Sequence, residues 1–210
     1  MASSGRAFDI AATTCSAIGS TIARQVGIVD VEGIRFLGYS DPRSSGLTAG
    51  WSQGSSSITE QGRELTETAC EDGSVSTVVV HSPTTGEEVA KSGCVDLVLS
   101  GHLHVQRGPT VLTGEDGRRT VTFTNASTGG AAFAFALGSK LRRQAQTTLI
   151  TYRDGRPVGL QPVNFNPDGT IQVTPYVPVD VTSDPTTPAP TTAPATTAPA
   201  TTAPTPPPAG

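Results

Sequence analysis

The sequence predicts an α/β domain built on a mixed β-sheet and followed by an unstructured tail. Two runs at 75–80 and 95–99 are almost continuously apolar, as expected of parallel strands that are covered on both faces. Further along, alternating segments joined by Gly-containing turns are typical of antiparallel hairpins. Residues 181–210 contain 9 Pro and 10 Thr and one charged side chain, Asp184, so this disordered tail cannot bury enough apolar surface to fold.

The first half of the chain predicts a strand–helix–strand order. Its predicted elements are strands at 26–30 and 34–39, a helix at 58–71, a strand at 75–80, a short helix at 86–92 and a strand at 95–99. Ser57 is a suitable N-cap for the longer helix, and Glu60 completes a capping box. In an open α/β sheet of this kind, the ligand crevice lies beyond the carboxyl ends of the parallel strands.

The second half predicts antiparallel strands. They are expected at 109–113 and 119–125, at 146–153 and 156–164, and at 171–177. Asp154-Gly155 is a strong two-residue hairpin signal, whereas the Ala/Phe-rich residues 129–137 fit a short helix or a packed loop equally well. The chain therefore divides into an N-terminal segment, 1–25, without a clear structural signal, a domain at 26–180 and the tail at 181–210.

The composition excludes several functional classes. With 14 Lys and Arg against 18 Asp and Glu, the formal net charge is -4, and no basic stripe is present to bind nucleic acid. No apolar run approaches the ~20 residues of a membrane-spanning helix, and residues 1–25 lack the basic-then-apolar pattern of an export signal. The Thr/Pro-rich tail, with its single charged side chain, nevertheless favours a protein of the cell envelope or the extracellular space.

The three cysteines, Cys15, Cys70 and Cys94, do not have the C-x-x-C spacing of a metal site. A disulfide between Cys70 and Cys94 is one interpretation, which an oxidising exterior would allow. Three buried thiols are the other, and the residues favour neither. Cys15 is left over in both cases.

The three histidines of the chain, His81, His102 and His104, fall within 24 residues at the ends of the two buried strands. His102 and His104 are separated by one residue, so both can face one side of an extended segment. Gly101 before them allows a backbone conformation that other residues resist. Because imidazole binds zinc, iron, manganese and nickel, the cluster predicts part of a metal site. The alternative is three unrelated polar histidines, which would rarely all lie at this edge.

The residues around these histidines resemble a known family. Residues 100–104 (SGHLH) match the Gly-His-x-His motif of calcineurin-like metallophosphoesterases, and 78–83 (VVVHSP) are similar to the strand-end histidine that precedes this motif. Residues 33–42 (GIRFLGYSDP) and 125–130 (NASTGG) are similar to actinobacterial members. The resemblance covers residues 26–178. It implies a four-layer α/β fold and a two-metal site that hydrolyses phosphate esters.

The resemblance also implies individual roles for the histidines. His81 and His102 correspond to ligands of one divalent metal ion, and His104 corresponds to a ligand of the other; Mn, Fe and Zn are the candidate ions. The family's Asp-x-His, Gly-Asp-x-x-Asp and Gly-Asn-His motifs supply the bridging carboxylate, an Asn ligand and the proton-donating histidine. None of these motifs occurs in this sequence, so no catalytic residue is identified.

Two metal ions held close together need anionic ligands, which three neutral imidazoles cannot supply. Asp41 follows a strand and is a candidate near the site, although its Asp-Pro sequence favours a turn. Asp96 begins a strand, at the end away from the crevice, where pairing or capping is expected. Asn125 ends a strand and is a candidate contact to the metal ligands or to a phosphate-ester substrate. We therefore expect weak binding of one metal and little phosphoesterase activity from this chain alone.

Two explanations account for the missing motifs. The chain begins too late, through a misplaced start or a broken gene, or a separate polypeptide supplies the N-terminal half. Both make residues 26–180 the second half of a metallophosphoesterase-like domain, with membrane association only through the missing part. Two other hypotheses stay open: a non-catalytic module that attaches to the cell envelope, and a domain with a structural zinc site closed by the histidines and one further ligand.

Overall fold

The computed structural model describes residues 7–8, 26–39, 57–129 and 143–181, which include all three histidines. These residues form eleven strands and two helices. The strands are β1 (Ala7–Phe8), β2 (Val26–Val31), β3 (Ile34–Tyr39), β4 (Thr77–Val80), β5 (Leu97–Ser100), β6 (Arg107–Thr113), β7 (Arg119–Thr124), β8 (Ala145–Arg153), β9 (Arg156–Phe165), β10 (Ile171–Val173) and β11 (Val177–Pro178); the helices are α1 (Ile58–Asp72) and α2 (Glu87–Ser92).

The larger of the two sheets is mixed, as the sequence predicts. Its order is β2-β3-β4-β5-β7-β6, and its four central strands run parallel. The outer strands β2 and β6 pair antiparallel with their neighbours. The second sheet contains β1, β8, β9 and β10 in that order, with β11 also on β9, and all its pairs are antiparallel. The described residues thus form a mixed α/β structure with few helices.

Helix α1 begins and ends on the local signals of its sequence. The Ser57 hydroxyl accepts a hydrogen bond from the Glu60 backbone N–H at 3.1 Å, which satisfies one of the free donors of the first turn. At the other end, Gly73 adopts the left-handed conformation (φ 67°), and its N–H donates to the carbonyl of Ala69. Leu65 and Ala69 on one face are fully buried against the sheet.

Apolar side chains cover both faces of the larger sheet. On the helical side, the buried cluster includes Leu37, Leu65, Val78, Val89 and Val98. On the other side, the sheet packs against the second sheet through a cluster that includes Phe36, Leu97, Phe123, Ile150, Tyr152 and Leu160. This double coverage explains why the sequences leading into β4 and β5 are almost continuously apolar. The two clusters make a three-layer arrangement of helices, mixed sheet and antiparallel sheet.

A disulfide joins Cys70, near the end of α1, to Cys94, between α2 and β5, with the two Cα atoms 5.1 Å apart. This separation lies within the usual range for disulfides. The structure thus decides between the two interpretations of these cysteines in favour of the bond. Cys15 lies outside the described residues.

Some predicted elements differ from the observed ones. The single strand predicted at 171–177 is wrong: the chain forms β10 and β11, because Pro175 between them has no N–H to donate to the ladder. Strands β4 and β5 each begin two residues later than predicted. Most of 129–137, most of 1–25 and all of the tail after Val181 lie outside the described residues. Neither of the two described helices combines the length and apolarity needed to cross a membrane.

Candidate metal centre

Two of the three histidines lie side by side at the carboxyl edge of the mixed sheet. Strands β4 and β5 are parallel neighbours, and Val80 pairs with Ser100. Both strands therefore end at the same level, and the N–H of Gly101 donates to the carbonyl of His81 at 3.1 Å. The imidazole rings of His81 and His102 have their centroids 4.7 Å apart, with the ring planes tilted by 59°. The register of one parallel strand pair thus produces the contact.

The separation of the two rings is compatible with a shared metal ion. Imidazole nitrogens lie ~2 Å from a bound zinc ion, so two such nitrogens are at most about 4 Å apart. Ring centroids 4.7 Å apart allow this spacing. Both His81 and His102 are exposed, so an ion can reach them from solvent. The ring separation is therefore compatible with, but does not require, a shared ion.

The backbone of the histidine loop departs from the extended form that the sequence suggested. The left-handed conformations lie on the histidines themselves, with φ 67° at His102 and 56° at His104, and Gly101 does not adopt one. The Leu103 N–H also donates to the Gly101 carbonyl at 2.7 Å, which closes a γ-turn around His102. The expectation of an extended segment is wrong because β5 already ends at Ser100.

Left-handed backbone is uncommon for residues other than glycine and costs about 1–3 kcal/mol for each residue. Two such residues within three positions, His102 and His104, therefore require support from their surroundings. Backbone outliers of this kind cluster at functional sites. The conformation of this loop is thus a second observation, independent of the ring contact, that makes the histidines candidate functional residues.

His104 does not complete a three-ligand group with the other two histidines. Within the ranges that the structure describes, no three His, Cys, Asp or Glu side chains are grouped so that they could hold one ion. The structure brings His81 and His102 together and leaves half-buried His104 outside their site. This division is compatible with the resemblance, which assigns His104 to a different ion.

Asn125 lies at the same edge, because its N–H donates to the carbonyl of Ser100 at 2.8 Å. Its side-chain amide is bonded at both ends. The Nδ2 group donates to the carbonyls of Ala126 (2.7 Å) and Gln146 (3.0 Å), and Oδ1 accepts from the Thr148 hydroxyl at 2.6 Å. The geometry therefore gives Asn125 a structural role between the two sheets, and its contact with substrate stays a prediction.

The two candidate carboxylates have different outcomes. Asp41 lies outside the described residues, two positions after the end of β3. Asp96 lies at the amino edge, away from the histidines, where its Oδ1 accepts a hydrogen bond from Arg156, as the sequence predicts. Burial raises the pKa of Asp96, and the neighbouring Arg156 guanidinium opposes this shift. Asp96 therefore takes no part in the histidine site.

Gln146 is the residue near the site that the sequence analysis missed. Its Nε2 group donates to Oε1 of Gln106 (2.7 Å) and to Oδ1 of Asn164 (2.8 Å), and its Oε1 accepts from the N–H of Ala126 at 3.0 Å. Gln106 lies two positions after His104. The buried Gln146 side chain thus ties the end of the histidine loop to the second sheet.

The sequence does contain a signal for Gln146. In β8, Gln146 and Thr148 lie an even number of positions before Ile150 and Tyr152, so all four share one face of the strand. Ile150 and Tyr152 belong to the buried cluster between the sheets. Polar residues on the inward face of a strand need hydrogen-bond partners. Their positions therefore indicate a buried polar network, although they do not reveal its members.

Comparison of the sequence with models of protein families and with curated proteins found no match. A family and an activity for this chain can therefore only be proposed, from the motif residues and the geometry of the histidine pair.

Proposed function

We propose that this chain carries the histidine half of a calcineurin-like metallophosphoesterase site, in which His81 and His102 hold one divalent metal ion. The observation that supports the proposal is the ring contact of 4.7 Å at the ends of two adjacent parallel strands. This edge is the expected place for ligands in open α/β sheets. The Gly-His-x-His motif at 101–104 and the strand-end histidine at 81 come from the two loops that meet there.

The donor set fits part of such a site. Neutral imidazoles suit Zn, Mn and Fe, and a pair of bound divalent ions supplies polarisation of the phosphoryl oxygens and a lowered pKa for bound water. The role of His81 and His102 is to hold and orient one ion, and the left-handed turn fixes His102 for this role. Since the described residues complete no three-ligand group, this chain alone should bind one ion weakly and hydrolyse phosphate esters poorly.

Zinc binding to single-histidine variants tests the proposal. Isothermal titration with Zn²⁺ should give one site for the wild-type chain. His81→Ala and His102→Ala should each weaken binding more than about tenfold, which corresponds to ~1.4 kcal/mol. His104→Ala is the matched control, because this histidine lies outside the pair and its loss should leave the affinity nearly unchanged. Equal effects of all three variants, or binding that survives the loss of both His81 and His102, would refute the assignment.

Activity and stability measurements separate this function from the other hypotheses. Hydrolysis of bis(4-nitrophenyl) phosphate with Mn²⁺ should be close to the buffer rate for this chain, and substantial turnover would show that the missing motifs are not needed. A structural zinc site is closed by four ligands and supports folding. Since His81 and His102 are exposed, a chelator should leave the melting temperature unchanged. Unfolding by the chelator would favour the structural site instead.

We further propose that the chain functions in an oxidising compartment, such as the cell envelope or the extracellular space. The disulfide between Cys70 and Cys94 supports this placement, because such bonds persist in oxidising environments and are rare in the cytosol. The Thr/Pro-rich composition of residues 181–210 is typical of extended stalks on exported proteins.

A further inference from the structure

Arg107 lies in line with the ends of the histidine-bearing strands at the carboxyl edge of the mixed sheet. Val80 pairs with Ser100, and Ser100 pairs with Thr124. Thr124 in turn pairs with Arg107, the first residue of β6. These four residues therefore lie at one level across β4, β5, β7 and β6. Because neighbouring strands are ~4.8 Å apart, the backbone of Arg107 is about 10 Å from that of Ser100, the last residue of β5.

The positive charge of Arg107 is exposed to solvent. Six other basic side chains in the described ranges form an ion pair with a carboxylate: Arg35, Arg63, Lys91, Arg118, Arg119 and Arg156. Arg107 forms no such pair with any residue that the structure describes. Since a guanidinium group has five N–H donors, Arg107 can bind an anion from outside the chain without giving up an ion pair.

The backbone of Arg107 is held in place from both sides. Before it, Oε1 of Gln106 accepts a hydrogen bond from the buried Gln146 side chain at 2.7 Å. After it, the register of the β6–β7 pair shifts. Gly108 lies in this irregular segment with φ 83°, and a Cβ there would be 2.6 Å from the carbonyl oxygen of Thr122, so glycine is required. Irregularities of this kind are common next to active sites, where they re-aim a side chain.

We propose that Arg107 binds the phosphate group of an ester substrate that is held by the metal ion at His81 and His102. This inference rests on the proposed function and adds the substrate class. Arginine suits the role because its planar guanidinium donates two parallel hydrogen bonds to a phosphate group. The interval of about 10 Å between the ends of β5 and β6 leaves room for a phosphate group between the ion and the long arginine side chain. Arg107 therefore favours phosphate mono- and diesters, which are anionic, over neutral triesters.

Isothermal titration of phenyl phosphate into the full chain, with and without Zn²⁺, tests the inference. Binding should require Zn²⁺, and Arg107→Ala should weaken it more than about tenfold, while the affinity for Zn²⁺ stays unchanged. Arg107→Lys should restore part of the affinity for phenyl phosphate, because lysine keeps the charge but lacks the planar group with its paired donors. Triethyl phosphate, which is neutral, should give no saturable heat.

Arg153→Ala is the matched control. Arg153 is also exposed and has no ion pair among the described residues. It lies at the β8–β9 turn, opposite Arg156, whose side chain donates to Asp96 at the amino edge of the mixed sheet. Because the histidines lie at the other edge, the loss of Arg153 should change neither the affinity for Zn²⁺ nor the affinity for phenyl phosphate.

The two proposals can fail separately. If Zn²⁺ binds at the histidines and Arg107→Ala binds phenyl phosphate as tightly as the wild-type chain, this inference alone is overturned. The same holds if Arg153→Ala loses as much affinity as Arg107→Ala, or if the zinc-loaded chain does not bind phenyl phosphate. If the wild-type chain does not bind Zn²⁺, the inference and the proposed function are both overturned.

Discussion

Replacing Cys70 and Cys94 together by serine should lower the free energy of unfolding by about 3–4 kcal/mol. The disulfide joins residues 24 positions apart. In the chain-entropy description, a cross-link over a 15-residue loop contributes ~3 kcal/mol and one over a 100-residue loop ~4.7 kcal/mol. The loop closed by Cys70 and Cys94 is closer in length to the shorter of these two loops, so its expected contribution is nearer the lower free energy. For a protein of this size, the change corresponds to a fall in melting temperature of roughly 6–16 °C.

The substitution reports mainly on the cross-link, because Cys70 is exposed and Cys94 is half-buried. Serine at these positions does not open a large buried cavity. Urea denaturation followed by circular dichroism measures the difference, and adding dithiothreitol to the wild-type chain should reproduce it. Cys15→Ser is the matched control, since Cys15 takes no part in the disulfide and its replacement should leave the reductant effect intact.

A wild-type stability that is the same with and without dithiothreitol would refute this reasoning. So would three free thiols per chain in a thiol titration of the unreduced, denatured protein. Either result would also remove the main support for an oxidising compartment, whereas it would leave the proposed role of the histidines unaffected.

Two further predictions concern buried polar residues. Burial raises the pKa of the Asp96 carboxyl above its ordinary value of 3.8. The folded chain therefore binds a proton at Asp96 more tightly than the unfolded chain does. The contribution of this proton to the free energy of unfolding falls as the pH rises from the ordinary pKa toward the raised pKa. Asp96→Asn should therefore gain stability relative to wild type as the pH rises above the ordinary pKa of 3.8 in urea denaturation; a difference that does not change with pH would contradict this. Gln146→Leu leaves buried groups unpaired, so it should cost about 3 kcal/mol and weaken Zn²⁺ binding through the histidine loop. Gln144→Leu, which changes an exposed side chain, should lower neither the stability nor the affinity for Zn²⁺. Equal losses in the Gln146 and Gln144 variants would contradict a role of Gln146 in positioning the histidine loop.

Much of the fold could be predicted because its signals are local. The apolar runs before the histidines, the Ser57 cap and the Asp154-Gly155 turn each specify their element within a few residues, and all three agree with the structure. The break at Pro175 was also visible in the sequence, since proline lacks the N–H that a strand ladder needs. The prediction of one continuous strand over 171–177 did not take this rule into account.

The candidate site was only partly predictable. The position of His81 and His102 at one sheet edge follows from strand order, which the sequence indicates, and the ring contact agrees with it. The left-handed turn at His102 depends on where β5 ends, and spacing alone does not show this. The bonds of Gln146 join residues 40 and 18 positions apart. Such partners depend on sheet packing and have no local signature.

The histidine loop combines an unfavourable backbone with a polar network that holds the residues just after it. Two left-handed residues cost about 1–3 kcal/mol each, and a loop selected only for connection would place Gly or Asn at these positions. The loop has His102 and His104 there instead. Gln146 in the second sheet holds Gln106, two positions after His104, through a hydrogen bond of 2.7 Å. An arrangement that maintains histidine side chains at a cost in backbone energy supports the proposal that the imidazoles are needed to hold a metal ion.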